Sequence, residues 1–213
     1  MTTNDPHALE PADTDAAPDP ADALAIIAAQ RARTDDTRPS DALIFGIWGA
    51  AWLVGYGLLW LTARDDDTPS VLAGAIAIGG GVVALVVTIV HVMHRTRGIV
   101  GASARQGMLY GFGWPIGFIA HGMIVAGLAQ AGASPEVVTL AANAIAALVV
   151  GLLYVAGGML WDSTALYVIG AWMALVGAGA ALTGLPGTYL VMALAGGGGM
   201  LVGGLVGKVR GRA

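Results

Sequence analysis

The sequence predicts an all-α fold: a polytopic bundle of six transmembrane helices with both termini in the cytoplasm. Apolar residues make up 56% of the 213 residues and charged residues only 11%, which leaves too few charges to cover a water-soluble domain. Six apolar runs are each close to the roughly 20 residues that cross a bilayer. Lys and Arg also collect on every second connection between these runs. The lipid bilayer is therefore the expected surrounding of most of the chain.

The predicted transmembrane domain covers residues 39–213. Ser40 is expected to cap its first helix, and Thr68-Pro69 to open the second. Ser134-Pro135-Glu136 is a helix-start signal with the acid well placed for the helix dipole. The predicted spans are residues 42–63, 71–92, 108–130, 137–161, 164–185 and 188–206.

Two tight connections define the second half of the domain. Asp162 and Ser163 alone separate the fourth span from the fifth, so these two helices must form an antiparallel hairpin. Either residue could cap the fifth helix. The segment 184–187, Gly-Leu-Pro-Gly, makes another sharp turn because proline stops a helix and glycine permits the reversal.

The N-terminal region is acidic and differs from the rest. Residues 1–19 are rich in Asp, Pro and Ala and are predicted to be a disordered tail rather than a signal peptide. Residues 20–38 are predicted to be a juxtamembrane amphipathic helix, to about Arg33, and a linker. Leu24 and Ile27 share one face of that helix, and basic residues follow it, which suits an anionic membrane surface. A partly formed helix in solution is the alternative.

The orientation follows from the distribution of positive charge. Side one carries nine of the ten Lys and Arg residues, and side two carries Arg64 alone. Positive residues are retained in the cytoplasm, so side one is expected to be inside. Tyr110 and Trp161 near the inner boundary, and Trp60 and Tyr189 near the outer one, agree with that topology. The nine are Arg31, Arg33, Arg38, Arg95, Arg97, Arg105, Lys208, Arg210 and Arg212.

His121 and Asn143 are the candidate intramembrane polar residues. Both lie deep inside a span, where polar groups are costly and are functional candidates for that reason. They could bond between helices or line a substrate or proton pathway. Their similar depths predict that they are partners. Pro115 should kink the third span and could open a small cavity near His121.

Several patterns argue against enzymatic chemistry. The absence of Cys excludes disulfides and thiolate sites. The aspartates at 65–67 are interpreted as a solvated turn. His91 and His94 are interpreted as charges at a helix C-terminus rather than as metal ligands. No catalytic motif is present, so we expect no enzyme, cofactor, metal or nucleic-acid partner. Gly199, Gly203 and Gly207 repeat every fourth residue and predict a helix-packing face.

One resemblance bears on function. The residues Gln30-Arg31-Ala32-Arg33, followed by Ile47 to Gly57 (IWGAAWLVGYG), resemble the opening of uncharacterised six-helix membrane proteins of high-GC actinobacteria. The resemblance implies a multi-pass protein of the bacterial inner membrane and assigns no functional residue. A small transporter or permease-like subunit, with a cytoplasmic ATPase or a second copy as partner, is one expected function. A non-transporting anchor that binds a partner through the N-terminal segment is the alternative.

Overall fold

The computed structural model describes residues 19–37 and 39–210, and these are helices joined by short turns without a β-strand. Six helical stretches are long and apolar enough to cross a membrane, as predicted. The chain is a multi-pass membrane protein by this criterion. The predicted tail lies outside the described residues except for Asp19.

The helices are α1 (Pro20–Thr37), α2 (Asp41–Thr62), α3 (Val71–Arg95), α4 (Ala102–Gln130), α5 (Pro135–Leu160) and α6 (Thr164–Ala181). The sixth span comprises α7 (Gly187–Val191), a π-helical segment (Met192–Gly197) and α8 (Gly198–Arg210). Residues 1–38 and 39–213 form two units. In the first, Pro20 begins α1 and the Asp19 carboxylate accepts from the N–H of Ala21 at 3.1 Å.

Local capping sets most helix starts. The hydroxyls of Ser40, Ser70, Ser134 and Ser163 each accept a hydrogen bond from the backbone N–H three residues later, at the start of α2, α3, α5 and α6. Ser163 is therefore the cap of the fifth span. Asp162 instead takes a left-handed conformation, with φ of 50°, in the turn before it. Aspartate tolerates this conformation better than most residues.

Several helix ends differ from the predicted spans, among them the end of the sixth, where α8 continues to Arg210 rather than ending at 206. α4 begins at Ala102, six residues before the predicted start at 108. Its first turns are helical although they contain polar residues and precede the apolar run. There the Gln106 amide donates to the Leu160 carbonyl at 3.1 Å. α3 likewise continues to Arg95, and α6 ends at Ala181 rather than at 185. An apolar run reports the length of membrane crossed, whereas a helix can continue beyond it.

The spans pack in an order that differs from their order in the chain. α3 packs on α2, α2 packs on the sixth span, the sixth span packs on α6, α6 on α5, and α5 on α4. α3 and α4 therefore lie at the two edges. α4 has no buried residue. Side chains of α2 and α5 meet in the middle, where the Phe45 and Tyr154 rings are 5.6 Å apart, edge to face.

The tightest contact is the predicted α5–α6 hairpin. Gly151 lies opposite Gly170, and Gly158 lies opposite Tyr167, an order that only antiparallel helices produce. A Cβ built on Gly170 would lie 2.5 Å from the backbone nitrogen of Val155. Glycine is required here because no larger residue lets two helix backbones approach so closely.

Candidate functional site

A partly open cavity of about 350 Å³ lies between α2, α3, α5 and α7. The depth of the cavity along the helices can be estimated from two of its residues. Tyr56 lies six residues before the end of α2, and Asn143 lies eight residues after the start of α5. At about 1.5 Å per residue these depths are roughly 9 and 12 Å from the helix ends that carry the 63–70 and 131–134 turns. The lining residues are Ala51, Trp52, Gly55, Tyr56, Leu59, Ala77, Ile78, Gly81, Asn143 and Tyr189.

A pair of polar side chains forms the hydrophilic part of this cavity. The Tyr56 hydroxyl bonds to Asn143 Oδ1 at 2.7 Å, and Asn143 Nδ2 donates to the Thr139 carbonyl at 2.8 Å. A carbonyl can only accept, so the amide nitrogen must face Thr139 and the amide oxygen must face Tyr56. The Tyr56 hydroxyl is therefore the donor. Asn143 keeps one N–H that neither bond uses.

Aromatic rings enclose this pair. Trp52 meets Tyr56 edge to face, with ring centroids 5.4 Å apart, and Tyr189 stacks on Tyr56 at 6.4 Å. Tyr189 is 4% exposed, and its hydroxyl has no hydrogen-bond partner within residues 39–210. The walls of the cavity are therefore largely apolar, with few polar atoms.

The π-helical segment supports the Trp52 wall. A Cβ on Gly196 would lie 3.0 Å from the Trp52 ring, so glycine is what allows the ring to lie against this helix. On another side, the Trp172 indole N–H donates to the Ala195 carbonyl at 2.8 Å. A π turn widens a helix and changes its hydrogen bonding, and the Trp172 indole is an extra donor at that point. Such segments are frequent at functional sites.

His121 lies outside the cavity lining, and its predicted pairing with Asn143 is wrong. His121 Nε2 lies 3.0 Å from the Ala142 carbonyl and must donate to it. Asn143 bonds instead to Tyr56 and Thr139. The predicted depth of His121 was correct to one residue, because its partner is Ala142, the neighbour of Asn143 in the chain. That residue matters because one step along an α-helix turns the side chain by about 100°.

Of the three glycines predicted to form a helix-packing face, two contact another helix and the third does not. α4 runs unbroken through Pro115, and the kink there stays a prediction. Gly199 faces the Trp172 ring and Gly203 faces Ile169, both on α6. Gly207 has open space around it.

Within the described ranges, no group of three His, Asp or Glu residues lies close enough to hold a metal ion. His91 Nε2 accepts a hydrogen bond from the Ser40 backbone N–H at 2.9 Å. An accepting ring nitrogen carries no proton, so the interpretation of His91 as a charge on the helix dipole is wrong. The residue ties the end of α3 to the start of α2.

Three aromatic residues of the cavity were not predicted as site residues from the sequence: Trp52, Tyr56 and Tyr189. Tyr56 carried a usable signal, because it places a hydroxyl well inside an apolar span, where polar groups need partners. Tyr189 was assigned to the outer boundary, and its position at the start of α7 fits that assignment, but it also faces Tyr56. Comparison of the chain with family models, with curated proteins and with solved structures gave no match.

Proposed function

We propose that this integral membrane protein is a small transporter or permease-like subunit that takes a solute into the cavity beside Asn143. The observation that carries the proposal is a cavity of about 350 Å³ between helices that are long and apolar enough to cross a membrane, with the Tyr56–Asn143 pair among aromatic walls. Ligand sites typically measure roughly 300–1,000 Å³ and combine apolar walls with a few polar groups. Polar groups inside a membrane domain commonly mark substrate pathways.

We further propose that both termini lie in the cytoplasm of a bacterial cell and that the cavity is nearer the outer surface. Charge supports this orientation, because Arg64 is the one Lys or Arg on its side. The Arg64 guanidinium lies over the Trp60 ring at 4.9 Å, which anchors that end of α2 at a boundary favourable to both groups. At the other end, Tyr110 and Trp161 pack edge to face at 4.6 Å. A cytoplasmic ATPase or a second copy would be the partner.

Transport requires that the cavity reach water on each side of the membrane in turn. The cysteine-free chain allows this to be measured with single cysteines and a charged, membrane-impermeant thiol reagent. Ala51→Cys places a thiol in the cavity lining. We expect it to react from both sides, in right-side-out and in inverted vesicles.

Controls define the two sides and the membrane interior. Asp66→Cys should react from the outside only, and Arg97→Cys from the inside only, because each lies in a connecting turn. Val90→Cys, on an exposed face of α3, should react from neither side because lipid surrounds it. Labelling of Ala51→Cys from one side only would exclude alternating access and reject transport.

The second candidate, an anchor that binds a partner through its N-terminal segment, rests on α1. Leu24, Ile26 and Ile27 are 67%, 56% and 44% exposed on this helix. Exposed apolar side chains on a short helix are suited to a partner or a membrane surface. One-sided labelling of the cavity, together with loss of a bound partner after deletion of residues 1–38, would favour this candidate.

A further inference from the structure

We propose that the cavity selects uncharged, largely apolar molecules that carry a hydrogen-bond acceptor, such as a ketone or ester carbonyl. The inference deepens the proposed function and rests on it. It follows from the charge, the hydrogen-bond inventory and the aromatic walls of the cavity.

The uncharged lining of the cavity disfavours ionic solutes. None of the ten lining residues carries a charge. An ion moved from water to an apolar site without a counter-charge loses several kcal/mol of hydration free energy. A neutral molecule avoids this cost, and the apolar lining stabilises it by the hydrophobic effect.

The hydrogen-bond inventory favours an acceptor. The amide oxygen of Asn143 already accepts from Tyr56, but one amide N–H remains. The Tyr189 hydroxyl and the Trp52 indole N–H have no hydrogen-bond partner in the part of the chain that the structure describes, and both residues line the cavity. Amide and indole N–H groups can only donate. A bound carbonyl oxygen would accept from these groups, and the amide and indole N–H groups can be satisfied by an acceptor alone.

The aromatic walls favour a flat apolar body. Tyr56 and Tyr189 are stacked with 28° between their planes, and Trp52 meets Tyr56 at 68°. Rings in such arrangements offer both faces and edges to another ring. A substituted benzene with one carbonyl group is therefore a suitable probe.

Three probes of similar size separate these properties. They are 4-bromoacetophenone, which has a carbonyl acceptor; 4-bromo-α-methylstyrene, in which a methylene group replaces that oxygen; and 4-bromobenzoate, which is charged. Bromine quenches tryptophan fluorescence, so binding beside Trp52 can be followed with the whole protein in lipid nanodiscs. Each titration is plotted against the mole fraction of probe in the lipid, which removes differences in partitioning.

We expect the ketone to quench saturably and to bind between about twofold and tenfold more tightly than the hydrocarbon, the range of one net hydrogen bond. Tyr189→Phe removes one of the three donors and should therefore lower this preference while leaving hydrocarbon binding unchanged. This variant retains the ring, and the hydroxyl that it removes bonds to no described residue. Tyr167→Phe, on a tyrosine outside the cavity, is the matched control. Trp52→Phe should remove the saturable quenching itself.

The outcomes distinguish the two proposals. Equal binding of ketone and hydrocarbon, or tighter binding of the benzoate, would overturn the selectivity and leave the binding cavity in place. A ketone preference that Tyr189→Phe does not lower would overturn the role assigned to that hydroxyl. Linear, unsaturable quenching by all three probes would show that the cavity holds no such molecule and would overturn the proposed function as well.

Discussion

Gly170→Ala tests whether the α5–α6 contact depends on glycine. A methyl group there would lie 2.5 Å from Val155 N, 2.6 Å from the Gly151 carbonyl oxygen and 2.9 Å from Tyr154 C. All three are backbone atoms, so no side-chain rotation can make room. The helices would have to separate by about 0.9–1.5 Å to bring the shortest of these distances, 2.5 Å, to the roughly 3.4–4.0 Å of ordinary contact.

The expected magnitude has two opposing parts. Overpacking costs about 1–3 kcal/mol, whereas replacing glycine by alanine in a helix gains about 1 kcal/mol. Gly179→Ala provides the control, because Gly179 is not in contact with another helix and a Cβ there meets no atom within 4 Å. The helix gain is common to both variants and cancels in their difference. Gly170→Ala should therefore be less stable than Gly179→Ala by about 1–3 kcal/mol.

The assay is reversible unfolding by sodium dodecyl sulfate in mixed micelles, followed by circular dichroism and by tryptophan fluorescence. The free energy of unfolding is compared for the parent and the two variants. Equal stability of Gly170→Ala and Gly179→Ala would show that the two helices adjust without cost. The close approach would then be unimportant for stability.

Three further predictions use the same protein. Gly203→Leu should lower the free energy of unfolding or change the oligomer size, because a Cβ at this position would meet Ile169. Gly207→Leu should do neither, since the space around Gly207 is open, and equal effects of the two variants would contradict the assigned contact. A double-mutant cycle of Tyr56→Phe and Asn143→Leu should show a coupling of about 0.6 kcal/mol, with about 1.7 kcal/mol as an upper value, and strict additivity would reject their hydrogen bond. A reporter active only in the cytoplasm should be active at the carboxyl terminus and silent within residues 65–68, and the opposite pattern would reverse the topology.

Helix starts illustrate what could be predicted. Ser40 and Ser134 cap helices as expected because a capping hydroxyl bonds to an N–H only three residues away. α4 begins before the predicted residue 108, because residues 102–107 are helical although they precede the apolar run. An apolar run and the helix that contains it therefore need not begin at the same residue.

The candidate site illustrates what could not be predicted. Asn143 stood out because an amide in lipid needs partners, and the structure provides them. Its partner Tyr56 is 87 residues away in the chain. Whether the Asn143 side chain faces Tyr56 or His121 depends on the rotation of α5 about its own axis. An almost uniformly apolar helix carries little information about that rotation in its own sequence.

Composition and local signals alone determined that the chain has six helices long and apolar enough to cross a membrane, because hydrophobic length and capping act within a single segment. The tertiary structure alone decided which helices are neighbours, with α3 and α4 at the edges and α2 beside the sixth span. In lipid these choices depend on close packing and interhelical hydrogen bonds between distant residues, since lipid solvates apolar faces equally well. The cavity beside Asn143 exists only where those neighbours meet.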